Sequence, residues 1–154
     1  MVAVELNPEA CFYLKENIAL NRVIDKIKVI EGDARVETSK LGVFDRILMP
    51  LPKDAGDFLD VALPALKNRG IIHFYHFAYS PKDSAEFVKR KVEELGYKVK
   101  IITAIRCGSY SPTLTRNCVD FQVFKDYDTA YEYKDNSQPQ EEENNIQWAK
   151  KSWS

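Results

Sequence analysis

Val2 to Leu6 is a short β-branched apolar run, and Asn7-Pro8-Glu9 follows it as a helix start, with Asn as N-cap and Pro at the first helical position. Cys11, Leu14 and Ile18 then recur on one helical face. Lys26 to Ile30 predicts a second strand closing on Glu31-Gly32-Asp33-Ala34-Arg35, and Val43 to Met49 a third running into Pro50-Leu51-Pro52. Leu59, Ala62, Leu63 and Leu66 fit the i, i+3, i+4, i+7 spacing of an amphipathic helix, with Pro64 a kink or early end and Gly70 its terminator. The aromatic run from Ile71 to Ala78 predicts a strand. Ser80-Pro81 caps a helix whose face is Ala85, Val88, Val92 and Leu95, and Gly96 stops it. Tyr97 to Arg106 alternates like a strand, Cys107 to Arg116 has loop composition, and Asn117 to Phe124 is a last strand. No room exists between these two strands for a crossover helix, so they pair antiparallel. Strands joined by helices, then a reversed strand at the edge, predict a doubly wound α/β sheet, mostly parallel with an antiparallel last strand.

Composition narrows the class. The chain has 154 residues, 45% hydrophobic, with no apolar run long enough to span a bilayer and no charged-then-apolar leader, which predicts a cytoplasmic protein without a membrane partner. Cys11, Cys107 and Cys118 have no C-x-x-C spacing and fit reduced thiols. Charge is uneven: residues 126–154 hold seven acidic and three basic side chains, a net of −4, while the first 125 hold nineteen basic and sixteen acidic, a net of +3. That body charge is too small to bind nucleic acid by itself. We expect residues 1–125 to form the domain and 126–154 a polar, disordered tail in which Trp148 alone has the character to dock.

Doubly wound sheets bind ligands outside the carboxyl ends of their strands, which selects three clusters. Glu5 can accept hydrogen bonds from the vicinal hydroxyls of a ribose, or serve only as a charge near a helix N-terminus. Gly32-Asp33-Ala34 allows a tight turn with a carboxylate for an adenine amino group, or is a plain turn. Pro50-Leu51-Pro52 is a stiff wall with free carbonyls, suited to a flat base, or a rigid connector. His73 and His76, three apart on a strand, point to opposite faces and share no metal ion. Tyr110 sits in a loop from which it can stack or donate a hydrogen bond near the site, or is simply half-buried, as loop tyrosines more often are.

In their order and spacing these clusters resemble the catalytic domain of the tRNA (guanine-37 N1)-methyltransferases of archaea and eukaryotes, a class I S-adenosylmethionine-dependent family. The likeness runs over about residues 1 to 125 and includes "VAVELNPEACFYLKENIALNRV", "GDAR", "FDRILMPLPKDAGDFLDVALPALK", "GIIHFYHFA" and "SYSP". It implies a Rossmann-like methyltransferase sheet, here lacking the first strand and its glycine loop, which would precede Met1. It implies S-adenosylmethionine as cofactor, with Glu5 and Leu6 at its ribose and Asp33 and Ala34 beside its adenine. Pro50, Leu51 and Pro52 match the Asn-Leu-Pro-like segment against the target guanine, with Pro50 standing where the family has Asn. The implied partner is tRNA, held mainly by a region N-terminal to this one. The sister group that transfers an aminocarboxypropyl unit in wybutosine synthesis shares sheet and cofactor site. A non-catalytic remnant and the same fold holding NAD through Glu5 also fit the strand-end pattern. A sheet without its first strand leaves an exposed edge, from which a homodimer is expected.

Overall fold

A computed structural model describes residues 1–51, 53 and 55–125. Pro52, the expected disordered tail and Trp148 therefore lie outside the described residues. The elements are β1 (Val2–Glu5), α1 (Pro8–Leu20), β2 (Lys28–Glu31), α2 (Ala34–Glu37), β3 (Phe44–Met49), α3 (Leu59–Ala62), β4 (Leu66–Ala78), α4 (Pro81–Glu94), β5 (Lys98–Ser109) and β6 (Thr115–Phe124). Single 3-10 turns follow α2 (Thr38–Lys40) and precede α3 (Ala55–Phe58).

The helix boundaries follow local chemistry. The Asn7 side chain accepts from the Glu9 N–H at 2.9 Å, with Pro8 in the first turn, where its missing N–H costs nothing. Ser80 Oγ accepts from the Asp83 N–H at 3.2 Å and donates to Asp83 Oδ2 at 2.8 Å. At the other end of α4, Gly96 takes φ 84°, its N–H reaching Glu93 O while Tyr97 N–H reaches Val92 O. Those paired bonds close the helix on a left-handed residue that glycine adopts without strain.

Two expectations are corrected between Leu59 and Ala78. The helix ends after one turn, since Pro64 has no N–H to continue it and its ring clashes with the preceding turn, and Leu66 already belongs to β4. Leu59, Ala62, Leu63 and Leu66 nevertheless all reach the core, as their spacing requires. Gly70 terminates nothing: it lies inside β4, where a Cβ would meet Leu66 Cγ at 2.6 Å and the Lys67 carbonyl at 2.9 Å, and the left-handed residue is Arg69, φ 62°. Between the pairs Phe44↔Leu66 and Arg46↔Ile71 the β4 chain makes a bulge of several residues.

Hydrogen bonding divides the strands into two pieces, a parallel pair β1-β2 and a four-stranded sheet ordered β3-β4-β6-β5. β3 and β4 are parallel, and β6 runs antiparallel to both β4 and β5. The last strand is thus the reversed one, but it lies inside the sheet and not at its edge. Burial accounts for this: Asn117, Cys118, Val119, Phe121 and Val123 of β6 are buried, whereas β5 exposes Lys98, Lys100 and Arg106, charged side chains that tolerate a solvated edge. β5 also runs further than expected, to Ser109, so that the loop is only residues 110–114.

The core lies between the four-stranded sheet and α4, where Ile72, Phe74, Val119, Phe121 and Val123 meet Val88 and Val92, closed off by Leu59, Leu63 and Leu66. Each of these side chains is fully buried, and burial of each stabilises by about 1.5–3 kcal/mol relative to exposure. No helix among the described residues is long and apolar enough to cross a membrane.

Candidate functional site

β1 ends on Glu5, and its backbone there is clasped from two sides. The Glu5 carbonyl accepts from Gly32 N–H at 2.9 Å and from the Cys11 thiol at 3.4 Å, while Glu5 Oε1 accepts from Asn7 N–H at 2.8 Å. The carboxylate is therefore oriented at the mouth of the β1–α1 turn, with Oε2 left over for another donor. Both readings of Glu5 survive, since the carboxylate also stands beside the N-terminus of α1. Leu6 follows it, 67% exposed.

The Gly32 bond brings the second cluster against the first. Asp33 caps α2, Oδ1 accepting from Arg35 N–H at 2.8 Å and its carbonyl accepting from Val36 and Glu37. Ala34 opens that helix. A Cβ at Gly32 would meet Glu37 Cγ at 2.8 Å, so a larger residue there would displace the Glu37 side chain.

Arg35, to which the strand-end pattern assigns no role, joins this loop to the segment after β3. Its Nη1 pairs with Asp60 at 2.9 Å, its Nη2 donates to the Asp57 carbonyl, and the guanidinium lies 4.8 Å from the Phe58 ring centroid. Both charged partners are partly solvated, so the pair orients the loop more than it stabilises the fold. Only its place at the start of a short helix after a strand end hints at this in the sequence.

Pro50 and Leu51 leave the carboxyl end of β3, both exposed, with Leu51 at 59%. At the same end of the four-stranded sheet, Tyr110 packs on Phe77 with ring centroids 4.2 Å apart and the planes tilted by 31°. His73 and His76 lie on opposite faces as their spacing requires. His73 bonds Asp120 Oδ1 at 2.7 Å and Arg46 Nη1 at 3.1 Å; since a guanidinium only donates, His73 Nε2 accepts and Nδ1–H donates to Asp120. His76 stacks on Phe87 at 4.4 Å on the α4 side, and burial pushes its pKa below the ordinary value. No group of three or more metal-binding side chains occurs among the described residues. A cavity of about 340 Å³ between α1 and β2, lined by Lys15, Ile18 and Val29 among others, contains none of the expected site residues.

Glu5, Asp33 and Leu51 thus stand at the carboxyl ends of parallel strands, the place where doubly wound folds bind their ligands. The chain belongs to the TRM5/TYW2 methyltransferase domain family, which residues 1–101 match. It is 33% identical over 124 residues to the tRNA (guanine(37)-N(1))-methyltransferase Trm5b of Pyrococcus abyssi, covering 79% of this chain and 36% of that protein. It is 30% identical over 128 residues to the tRNA(Phe) (4-demethylwyosine(37)-C(7)) aminocarboxypropyltransferase of Pyrococcus horikoshii, covering 81% of this chain and 46% of the relative. The solved structure of Methanocaldococcus jannaschii TYW2 in complex with AdoMet superposes with TM-score 0.70 at 28% identity, covering 80% of this chain and 57% of that one. The chain thus spans less than half the length of both curated relatives.

Proposed function

We propose that this chain carries the cofactor pocket and target-base wall of an enzyme that transfers a methyl group from S-adenosylmethionine to N1 of guanine 37 in tRNA. The observation that carries the reading is the Glu5 carboxylate, aimed by Asn7 N–H and tied through its carbonyl to the Gly32-Asp33 turn. A fixed acceptor at the end of β1 suits two ribose hydroxyls, with Asp33 and Ala34 a turn away beside the adenine. Leu6 offers apolar surface to the same nucleoside. Pro50 and Leu51, at the end of β3, are the wall for the guanine, and the family resemblance assigns Pro52 to the same role.

The cofactor supplies an electrophilic methyl on a sulfonium. The protein's part is orientation: N1 must approach in line as the N1–C bond forms and the C–S bond breaks, and the N1 proton must leave to a base. Proline-stiffened backbone at the end of β3 fixes the plane of the base at little entropic cost. Residues 1–125 act as the domain and 126–154 as a tail appended to it, working in the cytoplasm on tRNA. β1 and β3 each pair with one neighbour only among the described residues, and a second copy joined at such an edge would give a homodimer.

Aminocarboxypropyl transfer stands second, favoured by the near-equal identity to the Pyrococcus horikoshii relative. The full-length protein, incubated with S-adenosylmethionine and unmodified tRNA and followed by nucleoside mass analysis, separates the two. N1-methylguanosine is the expected product; an aminocarboxypropyl adduct reverses the ranking, and an unaltered nucleoside profile removes both.

A further inference from the structure

We propose that the tip of the β5–β6 hairpin is a stacking platform for an unpaired base of the RNA substrate, formed by Tyr110, Phe77 and Arg116. The proposal rests on the tRNA reading above and adds a contact surface that none of the three strand-end clusters includes.

Phe77 and Arg116 share the sheet face away from α4, and Tyr110 packs on Phe77 there. Phe77 of β4 is the register partner of Arg116 in β6, which in turn pairs with Gly108 of β5. The Arg116 guanidinium lies over Gly108 of β5, where a Cβ would sit 3.6 Å from Nη2 and 3.9 Å from Nε, in ordinary van der Waals contact. Tyr110 covers Phe77 from one side at 4.2 Å with an interplanar angle of 31°, and keeps 65% of its surface exposed. The outcome is a half-buried ring, an exposed ring and an exposed planar cation side by side. Bases stack on aromatic rings and on arginine planes alike, which makes such a platform indifferent to which base it receives.

The tip is braced. Tyr110 N–H and Ser111 N–H both donate to Leu114 O at 2.9 and 3.1 Å, and Ser111 Oγ accepts from Leu114 N–H at 2.9 Å. A tyrosine held by a closed turn loses little freedom on binding. Charge at this face comes from exposed Arg116, and residues 106–119 around the tip include no acidic side chain, which suits a polyanion. The platform stands at the carboxyl end of β4, next to the strand whose end carries Pro50 and Leu51, so it would hold a nucleotide flanking the target base.

The test is an anticodon stem-loop RNA with 2-aminopurine next to the target guanine, titrated with the protein at low salt. Stacking on Tyr110 quenches the probe. Tyr110→Ala should weaken binding about tenfold and abolish the quench, Tyr110→Phe should keep both, and Arg116→Gln should weaken binding and lower the salt slope by about one. Both positions are solvent-exposed, so the variants fold. Unchanged affinity and quench in Tyr110→Ala, or no RNA binding by the unaltered protein, overturns the proposal. S-adenosylhomocysteine calorimetry on the same samples separates this from the broader reading: cofactor binding with a silent Tyr110→Ala sinks the platform alone.

Discussion

Asn117 is fully buried on β6, and the substitution Asn117→Ala should be among the most damaging single changes in the chain. Its amide donates to Ser80 O at 3.1 Å and to Ser84 Oγ at 3.0 Å, and its Oδ1 lies 3.0 Å from the Thr115 hydroxyl. A third contact, to Thr115 O at 3.5 Å, is too long to count. These bonds tie the N-terminus of α4 to the sheet, and Ser84 continues the chain to His76 Nδ1 at 3.2 Å. Removing the amide takes one of two donors from the Ser80 carbonyl, which keeps the Ser84 N–H at 3.3 Å, and takes one partner each from Ser84 and Thr115, with about 1 kcal/mol for each lost bond, or about 2–3 kcal/mol in total. In a domain of this size that corresponds to a fall in Tm on the order of 10 °C. Thermal unfolding followed by circular dichroism, with urea titration to check that the m-value holds, measures it. A loss under about 0.5 kcal/mol would refute the reasoning, since it would mean that water or a shifted Thr115 satisfies the stranded groups.

Three further outcomes follow from other sites. His76 has a folded-state pKa below its unfolded value because burial disfavours its charge, so the unfolded chain binds more protons and stability is lost as pH falls through the window below about 6.5; His76→Gln should lose less than the parent between about pH 7.5 and 5.5, and parallel curves would contradict this. The Cys118 thiol is pushed up to about 11 by burial and then by Asp120, and Cys11 is raised chiefly by burial, so timed iodoacetamide labelling with peptide mapping at neutral pH should modify exposed Cys107 first; equal rates at Cys118 would contradict it. Gly70→Ala forces a methyl to within 2.6 Å of buried Leu66 and should cost about 1–3 kcal/mol in urea unfolding, with no loss being the contrary result.

What can be read in the sequence is local. Asn7-Pro8, Ser80-Pro81 and Gly96 punctuate helices through bonds between residues two to five apart, so their chemistry is visible in a short window. The antiparallel closing pair follows from chain length alone, and the opposite faces of His73 and His76 from strand period. Position within the sheet is not legible: β6 enters between β4 and β5 because its apolar residues need cover on both flanks, a comparison among strands that no window contains. Leu66 reads as helical because an i+7 position and the first buried residue of a strand look the same in a pattern of apolar residues. Of the site, Glu5 and the Gly32-Asp33 turn are readable from their positions at strand ends. The Arg35 clasp is not, since its partners Asp57 and Asp60 lie 22 and 25 residues away. Asn117 gives no signal either, its partners Ser84 and Ser80 being 33 and 37 residues distant.

The central claim is that Glu5 holds the ribose of an S-adenosyl cofactor, and calorimetric titration of S-adenosylhomocysteine into the protein and its Glu5→Gln variant tests it most directly. Glu5→Gln keeps an acceptor for Asn7 N–H but loses the charge-assisted bonds to the hydroxyls, a loss of about 1.5 kcal/mol or roughly tenfold in Kd. Measurable binding by the parent that weakens about tenfold in the variant is the predicted result; equal affinities, or no heat from the parent, would contradict the account.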